Sequence, residues 1–87
     1  MPLAVITGAS GGIGLELARV FAREGFDLAL VARSADALEK IAGEIRTRLH
    51  SKVQVIVEDV SAPGAPDRVY SAAPDADVLV NNAGFGL

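Results

Sequence analysis

Residues 3–14, Leu3-Ala4-Val5-Ile6-Thr7-Gly8-Ala9-Ser10-Gly11-Gly12-Ile13-Gly14, decide the fold. An apolar run enters a turn crowded with glycine, and a helical pattern leaves it. A short apolar run of this kind reads as a fully buried strand. Glycine is needed where a Cβ would block a tight turn or the close approach of a ligand. The start of the helix carries unpaired backbone N–H groups and about half a positive charge, the elements of a phosphate cradle. Gly8, Gly12 and Gly14 are spaced G-x-x-x-G-x-G, with Gly11 among them. This is not G-x-G-x-x-G, because Leu17 stands where the third glycine would fall, and no Gly-Lys-Ser/Thr follows to make a P-loop. On the turn alone, a tight junction without a ligand is the competing reading.

Strand and helix patterns alternate from there on. Residues 12–24 read as a helix with Ile13, Leu17, Val20 and Phe21 on one face, stopped by Gly25. Residues 27–32 form a second apolar strand. Ser34 is placed to cap the next helix, with Asp36 in its first turn to suit the dipole. Leu38, Ile41, Ala42, Ile45 and Leu49 give that helix an apolar stripe. Gly43 weakens it by about 1 kcal/mol relative to alanine. A β-branched strand covers 53–58. Pro63, Gly64, Pro66 and Pro74 leave room only for a short helix over 67–73, before a fourth strand over 77–81.

This alternation predicts an α/β fold, a parallel sheet with right-handed crossovers. The expected strand order is 3-2-1-4, half of a doubly wound sheet. The first two helices then share one face, and the third lies on the other. Parallel strands are normally covered on both sides, and the fourth strand would leave an open edge. We therefore expect a fragment of a larger fold, or a chain that needs a partner.

The 87 residues make one small domain, 1–87. An apolar fraction of 51% and a mean hydropathy of +0.37 argue against disorder. A net charge of -3 without any Lys/Arg cluster argues against a nucleic-acid surface. The absence of cysteine excludes disulfides, thiolate zinc sites and cysteine nucleophiles. No basic segment with an apolar core opens the chain, and no run nears the length of a membrane span. A cytoplasmic protein without a membrane partner is the expectation.

Two further motifs specify the glycine turn. Val80-Asn81-Asn82-Ala83-Gly84 closes the fourth strand, and Asp59-Val60 follows the third. With Thr7 to Gly14, they make the sequence similar to the short-chain dehydrogenase/reductase family over essentially its whole length. The resemblance implies a Rossmann fold that binds NAD(H) or NADP(H). It implies that Ser10, Gly11, Gly12, Ile13 and Gly14, in the turn begun by Gly8, wrap the pyrophosphate and nearby ribose. Asp59 would hydrogen-bond the adenine amine, with Val60 beside the ring. Asn81, Ala83 and Gly84 would lie along the adenosine ribose and nicotinamide side, and one of Asn81 and Asn82 would brace the sheet. Without the family, Asp59 reads as an acceptor within its own turn. Asn81 and Asn82 then read as caps for loose backbone groups.

An acidic residue about 20 positions after the glycines would bind the ribose 2′-OH of NAD. Here the second strand ends Val31-Ala32-Arg33-Ser34, with Ala32 where the acid is expected. Asp27 is at the wrong end of the strand, and Asp36 belongs to the helix. Arg33 suits a 2′-phosphate, and Ser34 can donate a further hydrogen bond. This predicts NADP(H), with NAD(H) as second choice; a solvated surface charge is the alternative role of Arg33. Some NADP-dependent members of the family carry a basic residue just before the second motif glycine, where this chain has Gly11.

The family's chemistry uses a tyrosine, a lysine four residues later and a serine, which the resemblance places beyond Gly84. Tyr70 is the sole tyrosine and Pro74 stands four residues on, so Tyr70 reads as half-buried packing. Lys40 and Lys52 sit in other elements, and His50 reads as a dipole-compatible residue at a helix end. No residue here is expected to be catalytic, and no metal constellation is visible. The sequence thus points to the NADP(H)-binding portion of such an enzyme. The parent activity would be hydride transfer between NADP(H) and an alcohol or carbonyl. A stand-alone dinucleotide-binding or regulatory module, and a remnant that folds without binding, are the other readings. An oligomer, or the rest of a longer protein, is expected to cover the sheet.

Overall fold

A computed structural model describes residues 2–82 of the chain. Its elements run β1 (Leu3–Thr7), α1 (Gly12–Arg23), β2 (Asp27–Ala32), α2 (Ala35–Leu49), β3 (Val53–Val57), α3 (Ala65–Ala72) and β4 (Val78–Val80). The four strands are parallel and ordered β3-β2-β1-β4, as the alternation predicts. The short helix begins two residues earlier than expected, at Ala65. Pro66 causes no break there, because the first turn of a helix has no use for its missing N–H.

Strand periodicity divides the core into two layers. Ala4, Ile6, Leu28 and Leu30 point to the face covered by α1 and α2. Val5, Ala29, Val31 and Ile56 point to the other, where α3 contributes Val69. Ile6, Leu28, Leu30, Leu38 and Ile45 are fully buried, each worth about 1.5–3 kcal/mol. The registers Thr7↔Val31 and Ala32↔Val57 bring the C-terminal ends of β1, β2 and β3 together at one edge. Ligands of open α/β sheets bind at that edge.

The buried face of α1 is not its most apolar stripe. Gly14, Ala18 and Ala22 are buried, whereas Ile13 is 70% and Val20 46% exposed. Small residues at i, i+4 and i+8 let the helix axis approach the sheet closely. The larger residues are displaced to the flank, where Phe21 meets Phe26 edge to face at 4.9 Å.

One smaller expectation changes, for Tyr70, and one gains detail, for His50 at the end of α2. Tyr70 is 64% exposed, not half-buried, because α3 buries Ala65 and Val69 and the helical turn carries Tyr70 off that face. His50 is the C-cap of α2 in the left-handed conformation, φ 57, a position more often held by glycine or asparagine.

Gly43 lies within α2, and a Cβ there would meet nothing within 4 Å. Gly43→Ala should therefore stabilise the domain by about 0.5–1 kcal/mol. In a thermal melt this raises the midpoint by roughly 2–8 °C.

Candidate cofactor site

The two long helices start differently. At α2, Ser34 Oγ accepts the Ala37 N–H at 3.3 Å, and Asp36 lies in the first turn. At α1, Gly11 is the N-cap with no side-chain hydrogen bond, and no acid lies in the first turn. The positive end of α2 thus has its own side-chain acceptor, whereas that of α1 has none among the described residues. Among the described residues, a Cβ on Gly11 or Gly12 would meet no atom within 4 Å. Ser10 and Ile13, both exposed, flank these two glycines.

The turn is built by left-handed backbone at Gly8 (φ 65) and Gly12 (φ 59). Gly14 serves another purpose. A Cβ there would lie 2.2 Å from the Gly8 carbonyl oxygen and 2.7 Å from Asn82 Nδ2. Asn82 Nδ2 donates to that same Gly8 carbonyl at 3.3 Å, so Asn82 is the asparagine that ties the β4 end to the turn. Thr7 Oγ1 lies 3.3 Å from both the Val80 carbonyl and Asn81 Oδ1, and its one hydrogen serves one of them at a time. Ala83 and Gly84 lie outside the described residues.

Charge gathers at the ends of β2 and β3. Arg33 is exposed and makes no hydrogen bond or ion pair among the described residues. Ser34 has its oxygen engaged as a cap but keeps its hydrogen to donate. Asp59 Oδ1 accepts from Ser61 Oγ at 2.6 Å and Ser61 N at 2.9 Å. These bonds hold the Asp59 carboxyl below the usual carboxylate range, and the Arg33 guanidinium lowers it further. The turn role of Asp59 is therefore real. Val60 packs against the second core layer.

Sequence reading missed four members of this region. Ser61 was legible as the third residue of an Asp-x-Ser turn. Thr7 was visible as the one polar residue ending an apolar strand. Glu58 and Arg68 pair at 2.8 Å across ten residues of loop and helix, a contact with no local signal. Among the described residues no group of three or more His, Cys, Asp or Glu could hold a metal.

A parallel sheet whose first strand turns through glycines into an uncapped helix places the chain in the Rossmann class of α/β folds. The chain belongs to the short chain dehydrogenase family, which it matches over residues 2–87. Galactitol 2-dehydrogenase (L-tagatose-forming) of Cereibacter sphaeroides is 38% identical, over 94% of this chain and 32% of that protein. L-sorbose reductase of Gluconobacter frateurii, solved with NADPH and L-sorbose, superposes with a TM-score of 0.90 at 41% identity. That match covers 95% of this chain and 33% of the reductase. A short-chain dehydrogenase of Sphingobium yanoikuyae in complex with NADPH gives a TM-score of 0.87 at 35% identity, covering 94% and 33%. The chain spans about a quarter to a third of the length of the curated relatives it matches.

Proposed function

We propose that residues 1–87 form the NADP(H)-binding portion of a short-chain dehydrogenase/reductase. The uncapped start of α1, open at Gly11 and Gly12, carries this reading. Backbone N–H groups of Gly11, Gly12, Ile13 and Gly14, with the Ser10 hydroxyl, would hold the pyrophosphate in the turn begun at Gly8. Arg33 and Ser34 would take the 2′-phosphate. Asp59 Oδ2 would accept from the adenine amine while Ser61 holds Oδ1, with Val60 beside the ring. Asn81, Ala83 and Gly84 would line the ribose and nicotinamide side. Asn82 would act through Gly8. Two similar structures, the sorbose reductase and the Sphingobium enzyme, contain NADPH, which supports the choice over NAD(H).

The bound nicotinamide would supply or accept hydride. This chain's own residues bind and orient the cofactor. Its single tyrosine, Tyr70, is followed by Pro74 in place of the family's lysine, so the proton chemistry belongs to residues it does not contain. The parent activity is oxidation of an alcohol or reduction of a carbonyl, in the cytoplasm.

A structural observation also favours further protein beside β4. Leu79 and Tyr70 border an apolar groove of about 540 Å³ on the α3 face. Exposed Ile13 and Val20 flank α1 on the opposite face. The rest of a longer protein, or a second copy, would cover these surfaces.

Binding is tested by thermal melts with NADPH. At a hundred times the dissociation constant, bound ligand adds about 2.7 kcal/mol, and the midpoint should rise by roughly 10 °C or more. An unchanged midpoint at millimolar NADPH would overturn the proposal.

A further inference from the structure

We propose that Arg68, which need not touch the cofactor, sets the phosphate preference of Arg33 by clamping the Glu58 carboxylate away from it. This rests on the reading of Arg33 as the 2′-phosphate contact. Ala32 pairs with Val57, and the Glu58 N–H donates to the Ala32 carbonyl at 3.0 Å. The next residues, Arg33 and Glu58, therefore leave neighbouring strands side by side, about 5 Å apart in backbone. Asp59 follows at once, near enough for Arg33 to lower its pKa.

Arg33 thus stands beside the Asp59 carboxylate, and the adjoining strand sets Glu58 next to it in backbone, a poor setting for a phosphate dianion if Glu58 were free to turn toward it. Loose carboxylates would compete for the guanidinium and repel the ligand. Neither is loose. Ser61 holds Asp59, as described. Arg68 holds Glu58 with two prongs, Nε to Oε2 at 2.9 Å and Nη2 to Oε1 at 2.8 Å. Such bidentate pairs are the strong and directional kind. Arg68 is itself fixed, because Nη1 donates to the Pro63 carbonyl at 3.1 Å. The short helix α3 therefore supplies the counter-charge for Glu58, and Arg33 remains unpaired among the described residues. Arg68 is a positioning residue for cofactor choice.

The test is calorimetric titration of the chain with NADPH and NADH, read as the ratio of dissociation constants. Arg68→Met should lower the preference for NADPH by about fivefold, since one released charge then faces the phosphate. Adding Glu58→Gln to Arg68→Met should restore it, and Glu58→Gln alone should leave it at or above the starting value. A merely structural role for Arg68 would weaken both cofactors equally and would not be rescued at Glu58. If Arg68→Met does not fold, Arg68→Lys keeps the charge and loses the two-pronged bond. It should then lower the ratio by about twofold, again restored by Glu58→Gln. An unchanged ratio in the folded Arg68 variant, or no restoration by Glu58→Gln, overturns the proposal. If the unaltered chain shows no preference for NADPH, the assignment of Arg33 fails first and takes this inference with it. Preference in the unaltered chain with no response at Arg68 refutes this inference alone.

Discussion

Gly14→Ala should destabilise the domain by about 3 kcal/mol and abolish NADPH binding, because the new methyl would occupy the space that locks the glycine turn to the sheet. The added Cβ would fall 2.2 Å from the Gly8 carbonyl oxygen and 2.9 Å from the Gly8 carbonyl carbon. Both are backbone atoms, so no side-chain rotation relieves the clash. Either α1 lifts from β1 or the turn opens. The same methyl would displace Asn82 Nδ2, ending its bond to Gly8. Overpacking costs about 1–3 kcal/mol and the hydrogen bond about 1 more. A domain of this size has roughly 4–13 kcal/mol in total, so the loss is a large share of it. The melting midpoint should fall by about 10–20 °C. Gly11→Ala provides the contrast. Its backbone is extended (φ -176) and its Cβ position is open, so stability should hardly change. Equal melts for the two variants would show that Gly14 is not a packing requirement.

Arg33→Ala should reduce the preference for NADPH over NADH by roughly ten- to hundredfold, the range expected for a charge-assisted contact. Arg33 is exposed, so screening places the effect toward the lower end, about tenfold at physiological salt. The loss should fall on NADPH, with NADH binding nearly unchanged, since the two cofactors differ only at the 2′ position. Calorimetry of both cofactors at two salt concentrations reads this directly. The ratio for the unaltered chain should shrink as salt rises, whereas the ratio for Arg33→Ala should stay flat. An Arg33→Ala variant that keeps the original ratio would return Arg33 to a solvated surface charge.

The strands and their order were legible because buried parallel strands are written as short apolar runs, and right-handed crossovers leave few topologies. The cap at Ser34 was legible for a local reason, since cap and helix are adjacent in sequence. The buried face of α1 was not. Gly14, Ala18 and Ala22 carry little hydrophobic signal, and their burial reflects how closely the axis nears the sheet. Sequence could say that one asparagine braces the sheet but not which. In space both meet the first strand and its turn, Asn82 through the Gly8 carbonyl and Asn81 through Thr7. The Glu58–Arg68 clamp is likewise a product of tertiary placement. Tyr70 was misjudged because proline interruptions hide which face of so short a helix is buried, and α3 buries Ala65 and Val69 instead.

If the glycine turn and the ends of β2 and β3 hold NADP(H), the cofactor must perturb those residues before any others. Amide spectra of the isotope-labelled chain, recorded with and without NADPH, report on each of them. Shifts should concentrate at Gly8 to Gly14, Arg33, Ser34, Asp59 and Val60, and those of Arg33 and Ser34 should be much reduced when NADH replaces NADPH. A spectrum unmoved by millimolar NADPH, or shifts confined to the groove between α3 and β4, would contradict cofactor binding at the turn.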